Sequence, residues 1–560
     1  MTSVDPAGLR VVTALLDTMQ GVEQGARGRD ILATAGTALS TVGFDPKRDR
    51  LVIIASSMGT VFEWYDFFLY GILASLLGKL FFTTGNPTTE LLFSLGAFGI
   101  GFFFRPLGAV IFGYFGDRVG RKYTFLITIT LMGGATAAIG FLPTFASVGV
   151  WAPIMLLTLR TVQGLALGGE YGGAAIYVAE HAPPGKRGQY TSWIQASVAG
   201  GFLLSVSVVL ICRALIPEAE FAAWGWRVPF ILSLVMLAIS IYIRLKLSES
   251  PIFKAMKEAG TTSKNPLLES FSDKANFGNI MVALFGVSAG LTVIYYTSQF
   301  GTLYFLQGTA RVPETLALMY MAVGALLAAP LYVVFGKLSD RIGRRKLLLA
   351  GYALTMVLVF PLFHLMADGA NPALGAATRA NPVVIEIPEC EASVFAKPVT
   401  ECAKALEFLT KRGINYAKAP AANVGLTIGS QHLNGFDKDG WTAALGAAGY
   451  PDKADPAAMS HWKIILAVAV MVGLSAMTYG QVAAILVELF PARIRYTSMS
   501  IPYHIGTGYF GGFLPVISQY IVVRTGQSFS GLWYTFGVVL MAFIVCAIWL
   551  PETKDRDITL

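Results

Sequence analysis

The chain has 560 residues, of which 54% are hydrophobic and 14% are charged, and its formal net charge is +8 at pH 7. Soluble domains carry about 25% charged residues, so this composition excludes an ordinary soluble fold. The positive charge does not indicate a nucleic-acid partner, because the basic residues stand between long apolar runs and not on a polar surface.

Residues 1–50 are of mixed character and lack the basic, apolar and small-residue pattern of a cleaved signal. We therefore expect a cytoplasmic N-terminal extension over 1–50, followed by an apolar run that stays in the membrane as an anchor.

Twelve apolar runs follow, each near the length of about 20 residues that crosses roughly 30 Å of hydrocarbon as a helix. They predict a six-helix bundle over 51–247, a central cytoplasmic loop over 248–277, a second six-helix bundle over 278–550 and a cytoplasmic tail over 551–560. The runs lie near 51–77, 92–115, 123–142, 151–180, 190–212, 226–246, 278–306, 313–336, 347–366, 462–487, 497–522 and 530–550.

Basic residues cluster in alternate loops, and such loops stay in the cytoplasm. The loops after the second, fourth, eighth and tenth runs and the central loop carry many lysines and arginines, whereas the opposite loops carry few. We therefore expect a multi-pass protein of a bacterial inner membrane with both termini in the cytoplasm.

A short sequence occurs in both halves. Gly113–Lys122 reads GYFGDRVGRK and Gly336–Arg345 reads GKLSDRIGRR, each at the cytoplasmic end of the second run in its half. A weaker echo pairs an acidic residue, a proline and an arginine of each half: Glu180, Pro183 and Arg187 with Glu488, Pro491 and Arg495. The repeat predicts two pseudo-symmetric bundles.

The weaker echo is displaced further along the chain than the first, so extra residues lie between the two motifs in the second half. They match the polar stretch 368–461, which we expect to form a periplasmic insertion. Cys390 and Cys402 fall in it, and a disulfide between them is permitted in that oxidising compartment. Two free thiols are the alternative.

Several runs of residues resemble the metabolite:proton symporter family of the major facilitator superfamily. They are GTVFEWYDFFLYG (Gly59–Gly71), FFRPLGAVIFGYFGDRVGRK (Phe103–Lys122), RTVQGLALGGEYGGA (Arg160–Ala174) and GWRVPF (Gly225–Phe230). The resemblance covers roughly 51–367 and 462–550. It implies the all-α major facilitator fold of twelve transmembrane helices, and proton symport of dicarboxylates, other organic acids or zwitterionic osmolytes such as proline and betaine.

Three carboxylates lie inside apolar runs of the first half. Glu63 and Asp66 are three residues apart and share one helical face, and Glu170 lies in the fourth run. A charge at the centre of a membrane helix costs about 2.5–3.5 kcal/mol, so each needs a cavity, a partner or a proton. We expect proton coupling through these residues; ion pairs that only hold helices together are the alternative.

Two arginines also lie inside these runs. Arg105 needs an anion, either a neighbouring carboxylate or a substrate carboxylate held through two hydrogen bonds. By the resemblance, Arg105 matches a position implicated in carboxylate binding, which relatives with zwitterionic substrates share. Arg160 lies in a glycine-rich run that lets helices approach closely. We predict substrate binding by both arginines and leave structural pairing with a carboxylate such as Glu170 open.

The second half has no acidic residue well inside a run, and it offers aromatic and hydrogen-bonding side chains instead. Tyr295, Tyr296, Gln299 and Tyr503 are the residues that we predict to line the substrate site. For any one of them, a simple interhelical contact is the alternative.

The repeated loops carry Asp117, Arg118 and Arg121 in the first half and Asp340, Arg341 and Arg344 in the second. They lie too near the cytoplasmic surface to bind a substrate at mid-membrane, so we expect them to act in conformational gating. The aspartates would pair with basic groups or helix N-termini while the inner side is closed. Anchoring by positive charge alone would not explain the repeated aspartate.

The sequence contains no nucleotide-binding loop, no paired metal-ligand spacing and no nucleophile elbow. We therefore expect no enzyme activity, no cofactor and no metal, and a monomer in the lipid bilayer that is driven by the proton gradient. A small organic acid is the predicted substrate, carried by alternating access between the two halves. Zwitterionic osmolytes are one alternative, and a nutrient sensor on a transporter scaffold is another.

Overall fold

The computed structural model describes residues 46–119, 121–169, 171–245, 265–388, 398–492 and 494–558. The predicted N-terminal extension up to residue 45, Glu170 and Cys390 lie outside the described residues. The same holds for the side chains of 113–125, which include Asp117, Arg118 and Arg121.

Helices make up the described part of the first half. They are α1 (Pro46–Ile72), α2 (Ala74–Phe81), α3 (Pro87–Phe103), α4 (Arg105–Val119), α5 (Arg121–Phe141), α6 (Phe145–Val148), α7 (Trp151–Gly168), α8 (Tyr171–His181), α9 (Arg187–Leu215), α10 (Glu218–Glu220) and α11 (Arg227–Leu245), with a π-helical turn at Phe221–Gly225. The start of α3 has a local cause, because Asn86 accepts hydrogen bonds from the N–H groups of Thr88 and Thr89 ahead of the first turn.

The second half begins with α12 (Pro266–Ser272) and a helix over Lys274–Thr309 that contains α13 (Lys274–Met281), α14 (Ala289–Tyr296) and α15 (Thr302–Tyr304). Its other membrane-domain helices are α16 (Glu314–Ile342), α17 (Arg344–Ala370), α21 (His461–Tyr479), α22 (Val482–Leu489), α23 (Arg495–Ile505), α24 (Leu514–Thr525) and α25 (Leu532–Trp549). The Lys274–Thr309 helix is interrupted by π-helical turns at Val282–Ser288, Thr297–Gly301 and Phe305–Thr309, and such turns often mark functional sites.

A helix or a broken helix lies over each of the twelve predicted runs within the described residues. Seven helices there are long and apolar enough to cross a membrane, and the number is nine if each of two bent pairs is one span. One bent pair is α1 with α2, which meet at 61°. Length and composition alone therefore support a multi-pass protein, and the count of twelve stays a prediction.

Glycines bring α7 into backbone contact with α3 and α4. A Cβ atom at Gly164 would collide with the carbonyl oxygen of Gly101, and one at Gly168 would collide with that of Arg105. Small residues permit this close approach between helices. The packing fixes the depth of Arg105 and Arg160 relative to each other.

The residues between α17 and α21 fold into a separate unit, which we call the lobe. It contains α18 (Pro372–Ala380), β1 (Val383–Ile387), α19 (Glu401–Lys411), β2 (Tyr416–Pro420), β3 (Gly425–Ile428), β4 (Gln431–Asn434), α20 (Lys438–Ala447) and a 3-10 turn at Pro456–Ala458. The sheet order is β2-β1-β3-β4, with β1 parallel to β2 and the other pairs antiparallel. The all-α expectation is therefore wrong for the insertion, although the described bundles are helical.

The lobe has its own hydrophobic core, which includes Ile385, Leu409 and Trp441. Cys402 is disulfide-bonded, so the alternative of a free thiol does not apply to it, and its predicted partner Cys390 lies outside the described residues. Cys212 and Cys546 are buried free thiols in the membrane helices.

Arg311 ties the lobe to the membrane helices of the second half. Its guanidinium donates to the carbonyl oxygens of Pro451 at 3.2 Å and Lys411 at 3.3 Å, and also to that of Asp452. Arg311 has a φ of 60°, which is uncommon for a residue with a side chain. The Asn415 side chain also accepts from the Ser528 N–H at 2.7 Å, so the lobe is attached to two loops of the same half.

Candidate functional site

Arg105 lies at the contact surface between the two halves. It is the first residue of α4 and is 1% exposed. Its guanidinium carbon lies 3.8 Å from the ring centre of Phe102 and 4.5 Å from that of Phe67, so aromatic faces support the positive charge. Its Nε and Nη2 atoms have no hydrogen-bond partner among the described residues.

Tyrosines of the second half face this guanidinium. Tyr296, Tyr479 and Tyr503 all interact electrostatically with Arg105, and the Tyr296 ring packs against Phe102 at 5.2 Å between centres. The structure therefore brings together the predicted residues Arg105, Tyr296 and Tyr503 in one buried place.

We call the contact surface between the halves the seam. Stacked rings close it on one side of Arg105, where Tyr171 and Tyr503 lie 3.9 Å apart at 7° between ring planes. On the other side, Tyr295 stacks on Phe68 at 6.0 Å. The seam is lined by Phe68, Phe98, Phe102 and Tyr171 of the first half and Tyr295, Tyr296, Phe300 and Tyr503 of the second.

Three tyrosines and two glutamines of the seam offer hydrogen-bonding groups that the sequence interpretation partly missed. Tyr479 and Tyr503 share a hydrogen bond of 3.1 Å between their hydroxyls, and Gln195 donates to the Tyr171 hydroxyl at 2.8 Å. Gln299 is fully buried, and both of its amide atoms have no partner in the part of the chain described. Tyr479 and Gln195 carried no signal beyond being polar residues in apolar runs.

Arg160 differs from Arg105 because the first half supplies acceptors for both of its terminal nitrogens, although its Nε atom has no partner among the described residues. Nη1 donates to the Gln163 Oε1 atom at 2.8 Å and Nη2 to the Phe98 carbonyl oxygen at 3.2 Å. Gln163 in turn donates to the Thr136 hydroxyl at 2.7 Å. Arg160 thus belongs to a network inside the bundle, and a role in substrate binding stays a prediction.

The two described carboxylates of α1 are buried at different places. Asp66 faces Ser233 of α11, and its Oδ1 atom has no hydrogen-bond partner within the described ranges. Glu63 is also buried and lies one helical turn before Phe67, the ring next to Arg105. Asp66 therefore points into the first bundle, away from the seam.

Asp340 holds one end of the seam, which we call the inner end because the loop after α16 is predicted to be cytoplasmic. Its carboxylate accepts hydrogen bonds from the backbone N–H groups of Gly188 and Gln189, both at 2.8 Å, at the N-terminus of α9. A carboxylate at a helix N-terminus interacts favourably with the helix dipole. Arg344 binds the same carboxylate at 2.7 Å, whereas Arg341 is exposed and lies outside this buried cluster.

Buried charges of both halves extend the inner closure. Arg344 donates to Glu488 at 3.0 Å, and Arg187 of the first half lies 3.8 Å from the same carboxylate. Arg495 pairs with Glu180 across the halves at 3.3 Å. The acidic residues and arginines of the weaker sequence echo are therefore brought together in space.

The C-terminal tail docks on this closure. The Thr553 hydroxyl donates to Glu488 at 2.8 Å. Arg187 of the first half donates to the Arg556 carbonyl oxygen at 2.8 Å, and Arg495 of the second half donates to that of Ile558 at 2.6 Å. The tail thus bridges both halves, which its polar sequence did not indicate.

The other end of the seam is closed as well. The Tyr304 hydroxyl donates to the Gly71 carbonyl oxygen at 2.7 Å, and Arg213 pairs with Glu314 at 2.7 Å, both across the two halves. Contacts at both ends therefore enclose Arg105. A separate cavity of about 270 Å³ lies between the lobe and the ends of the second-half helices.

Comparisons with known proteins agree with this architecture. The family described as "Sugar (and other) transporter" matches residues 51–284. The inner membrane metabolite transport protein YhjE of Escherichia coli strain K12 is 31% identical over 538 residues, which cover 94% of this chain and 100% of that protein. The shikimate transporter of the same organism is 38% identical over 321 residues, covering 56% of this chain and 72% of that protein.

Among solved structures, the xylose transporter XylE from E. coli matches with a TM-score of 0.56 at 16% identity, covering 91% of this chain and 99% of that chain. This likeness shows the fold, and the full-length match to YhjE shows the family. The chain is accordingly a multi-pass transporter of a bacterial inner membrane and not an enzyme. It belongs to the metabolite:proton symporter family of the major facilitator superfamily.

Proposed function

We propose that this chain carries a small organic acid together with protons by alternating access. The observation that carries the proposal is the buried guanidinium of Arg105, whose Nε and Nη2 atoms have no hydrogen-bond partner among the described residues. A buried charge is costly unless it is paired and hydrogen-bonded. A substrate carboxylate would supply both, through two parallel hydrogen bonds.

The location of Arg105 fits alternating access. The charge belongs to the first half, and the tyrosines around it belong to the second half. A solute bound there contacts both bundles, so its binding can favour the state in which they are closed over it. The contacts of Asp340 and of the tail would break when the inner side opens.

The proposed topology has twelve spans, cytoplasmic termini and a periplasmic lobe. The basic loops support this orientation. The disulfide-bonded Cys402 supports an oxidising compartment for the lobe.

Proton binding is assigned first to Asp66, with Glu63 and Glu170 as the other candidates. Asp66 has one carboxylate oxygen without a partner in the described part of the chain, and an acid group inside a membrane bundle is a proton-relay candidate. Neutralising the coupling residue should abolish uphill uptake while exchange of substrate between the two sides continues.

Related transporters support an organic acid as the substrate class. The shikimate transporter is 38% identical in the matched region, and the alpha-ketoglutarate permease of E. coli is 32% identical over 330 residues. The proline/betaine transporter of E. coli is 35% identical over 331 residues, and this match favours zwitterionic osmolytes as the second candidate.

Currents from the purified protein in liposomes test the proposal. Shikimate, alpha-ketoglutarate, proline and betaine are supplied in turn at several pH values. We expect the acids to give inward current that grows as the outer pH falls, and Arg105→Gln to remove it. Current with proline or betaine alone would replace the organic acid by the second candidate, and binding without flux would favour a sensor.

A further inference from the structure

His504 is a buried histidine of the second half that lies at the seam. It belongs to α23 and is 1% exposed. Its ring centre is 5.4 Å from that of Tyr503. Neither Nδ1 nor Nε2 has a hydrogen-bond partner among the residues that the structure describes. A buried ring with two polar atoms and no partner is unusual, because buried polar groups are nearly always hydrogen-bonded.

The position of His504 relative to Arg105 follows from the backbone around it. Gly508 lies one helical turn after His504 on the same face, and a Cβ atom there would lie 3.0 Å from the Phe102 carbonyl oxygen. Phe102 is the ring on which the Arg105 guanidinium rests. His504 also lies near Arg105, and the Gly168 carbonyl oxygen is close to its ring but outside hydrogen-bonding geometry; Gly168 is the glycine that packs against the Arg105 backbone.

Two groups of opposite halves therefore lie along the same stretch of backbone, and both have nitrogens without a partner among the described residues. Arg105 has Nε and Nη2 in the first half, and His504 has its two ring nitrogens in the second. Whichever ring nitrogen carries the proton, the imidazole has at least one N–H donor, and a carboxylate has about four acceptor positions. An anion that reaches both residues can therefore hydrogen-bond to each of them.

We propose that His504 is a substrate-binding residue that donates a hydrogen bond to the carboxylate held by Arg105. This inference rests on the proposed function above and assigns a second protein ligand to that site. The bound carboxylate then links the two halves directly, so the anion itself favours the closed state. A ligand shifts a conformational equilibrium only through such a difference in contacts between states.

The site recognises one carboxylate. Arg160, a further buried cation of the first half, has both terminal nitrogens engaged by Gln163 and Phe98, and only its Nε atom has no partner in the described residues. A second carboxylate would therefore not find at Arg160 the two free nitrogens that Arg105 offers. The tyrosine hydroxyls and the Gln299 amide, which has no partner in the described ranges, instead suit hydroxyl groups on the body of the substrate.

The test measures binding of shikimate and of alpha-ketoglutarate to the purified full-length protein by calorimetry, for the wild type, His504→Ala and His504→Gln. We expect His504→Ala to weaken shikimate binding about tenfold or more, since a hydrogen bond to a charged group is lost. His504→Gln keeps an N–H donor and should recover most of the affinity. His432→Ala, a change on the exposed strand β4 of the lobe, is the matched control and should bind as the wild type does.

Thermal unfolding of each variant separates a binding role from a packing role. If His504→Ala melts as the wild type does and binds both acids with unchanged affinity, the inference is wrong. It is also wrong if His504→Gln is as defective as His504→Ala, because packing would then be what matters. If the wild type binds neither acid but binds proline or betaine, the proposed substrate class has failed. Both solutes carry a carboxylate, so the same variants are then titrated with the solute that binds, and unchanged affinity in His504→Ala overturns the inference.

Discussion

At the scale of single residues, Arg105 and Arg160 look alike in the sequence but differ in the structure. Both are fully buried next to the Phe67 ring. Arg160 has protein acceptors for both terminal nitrogens, whereas two nitrogens of Arg105 have none within the described residues. The difference depends on Gln163, one turn along α7, which accepts a hydrogen bond from Arg160. The sequence pattern alone does not show whether a polar residue in an apolar run pairs with a neighbouring charge.

Substitution should separate the roles of the two arginines. Arg160→Gln leaves the Phe98 carbonyl oxygen without its donor, and an unsatisfied buried group costs about 1–3 kcal/mol. We expect a lower melting temperature, with substrate affinity largely kept. Arg105→Gln should show the reverse, because it removes a buried charge and its anion site together. Scanning fluorimetry and calorimetry on both variants measure the two quantities, and loss of affinity in a stable Arg160→Gln protein would contradict the assignment.

At the scale of elements, the start of α9 is a joint between the halves. Asp340 on α16 accepts hydrogen bonds from the backbone N–H groups of Gly188 and Gln189 in the first turn of α9. Such charge-assisted bonds at a helix N-terminus are stronger than neutral ones. On the α9 side, this joint therefore consists of backbone atoms. Substitution of side chains at the start of α9 should leave these two hydrogen bonds in place.

Amide hydrogen exchange tests this joint. Asp340→Asn removes the charge that faces the α9 N-terminus, and a hydrogen bond to a charged group contributes about 1.5–3 kcal/mol. We expect the amides around Gly188 to exchange at least about tenfold faster. Arg341→Gln changes the exposed neighbour and should leave the exchange rate as it is; equal acceleration in both variants would show that loop charge alone matters.

The helices were predictable and their contacts were not. The length of the apolar runs identified the membrane helices, because nearly every residue of such a helix must be apolar to lie in hydrocarbon. The break between α1 and α2 at Leu73 has no proline beside it, and Gly71 two residues earlier is one of many glycines in the membrane runs, so it does not distinguish this position. His504 carries no sequence signal for another reason: a single histidine in an apolar helix has many possible neighbours, and only the packing of the halves decides which of them it meets.

At the scale of the whole molecule, the insertion contains a sheet that the sequence patterns did not predict. Its strands have only four or five residues, which is too short for a clear alternation of polar and apolar positions. Its length and compartment could be inferred from the displaced repeat, but its sheet depends on pairing between distant segments. The docking of the tail escaped prediction for the same reason, since it depends on arginines from both halves.

We expect Arg311 to contribute to the attachment of the lobe to the membrane helices. Arg311→Ala removes hydrogen bonds to three lobe carbonyl oxygens, while the φ of 60° strains arginine and alanine alike. We expect faster proteolytic cleavage at the lobe boundary in limited digestion. Lys438→Ala, a change of an exposed side chain on α20 of the lobe, is the control; equal cleavage of both variants would contradict a role of Arg311 in attaching the lobe.

The firm attachment of the lobe has a practical consequence for imaging. A membrane transporter whose helices are all inside a detergent belt offers little contrast by which single particles can be oriented in electron cryo-microscopy. The lobe lies beyond the helix ends and is bound to two loops of one half through Arg311 and Asn415. It can therefore serve as a built-in fiducial that reports both the orientation of the particle and the motion of the half to which it is fixed.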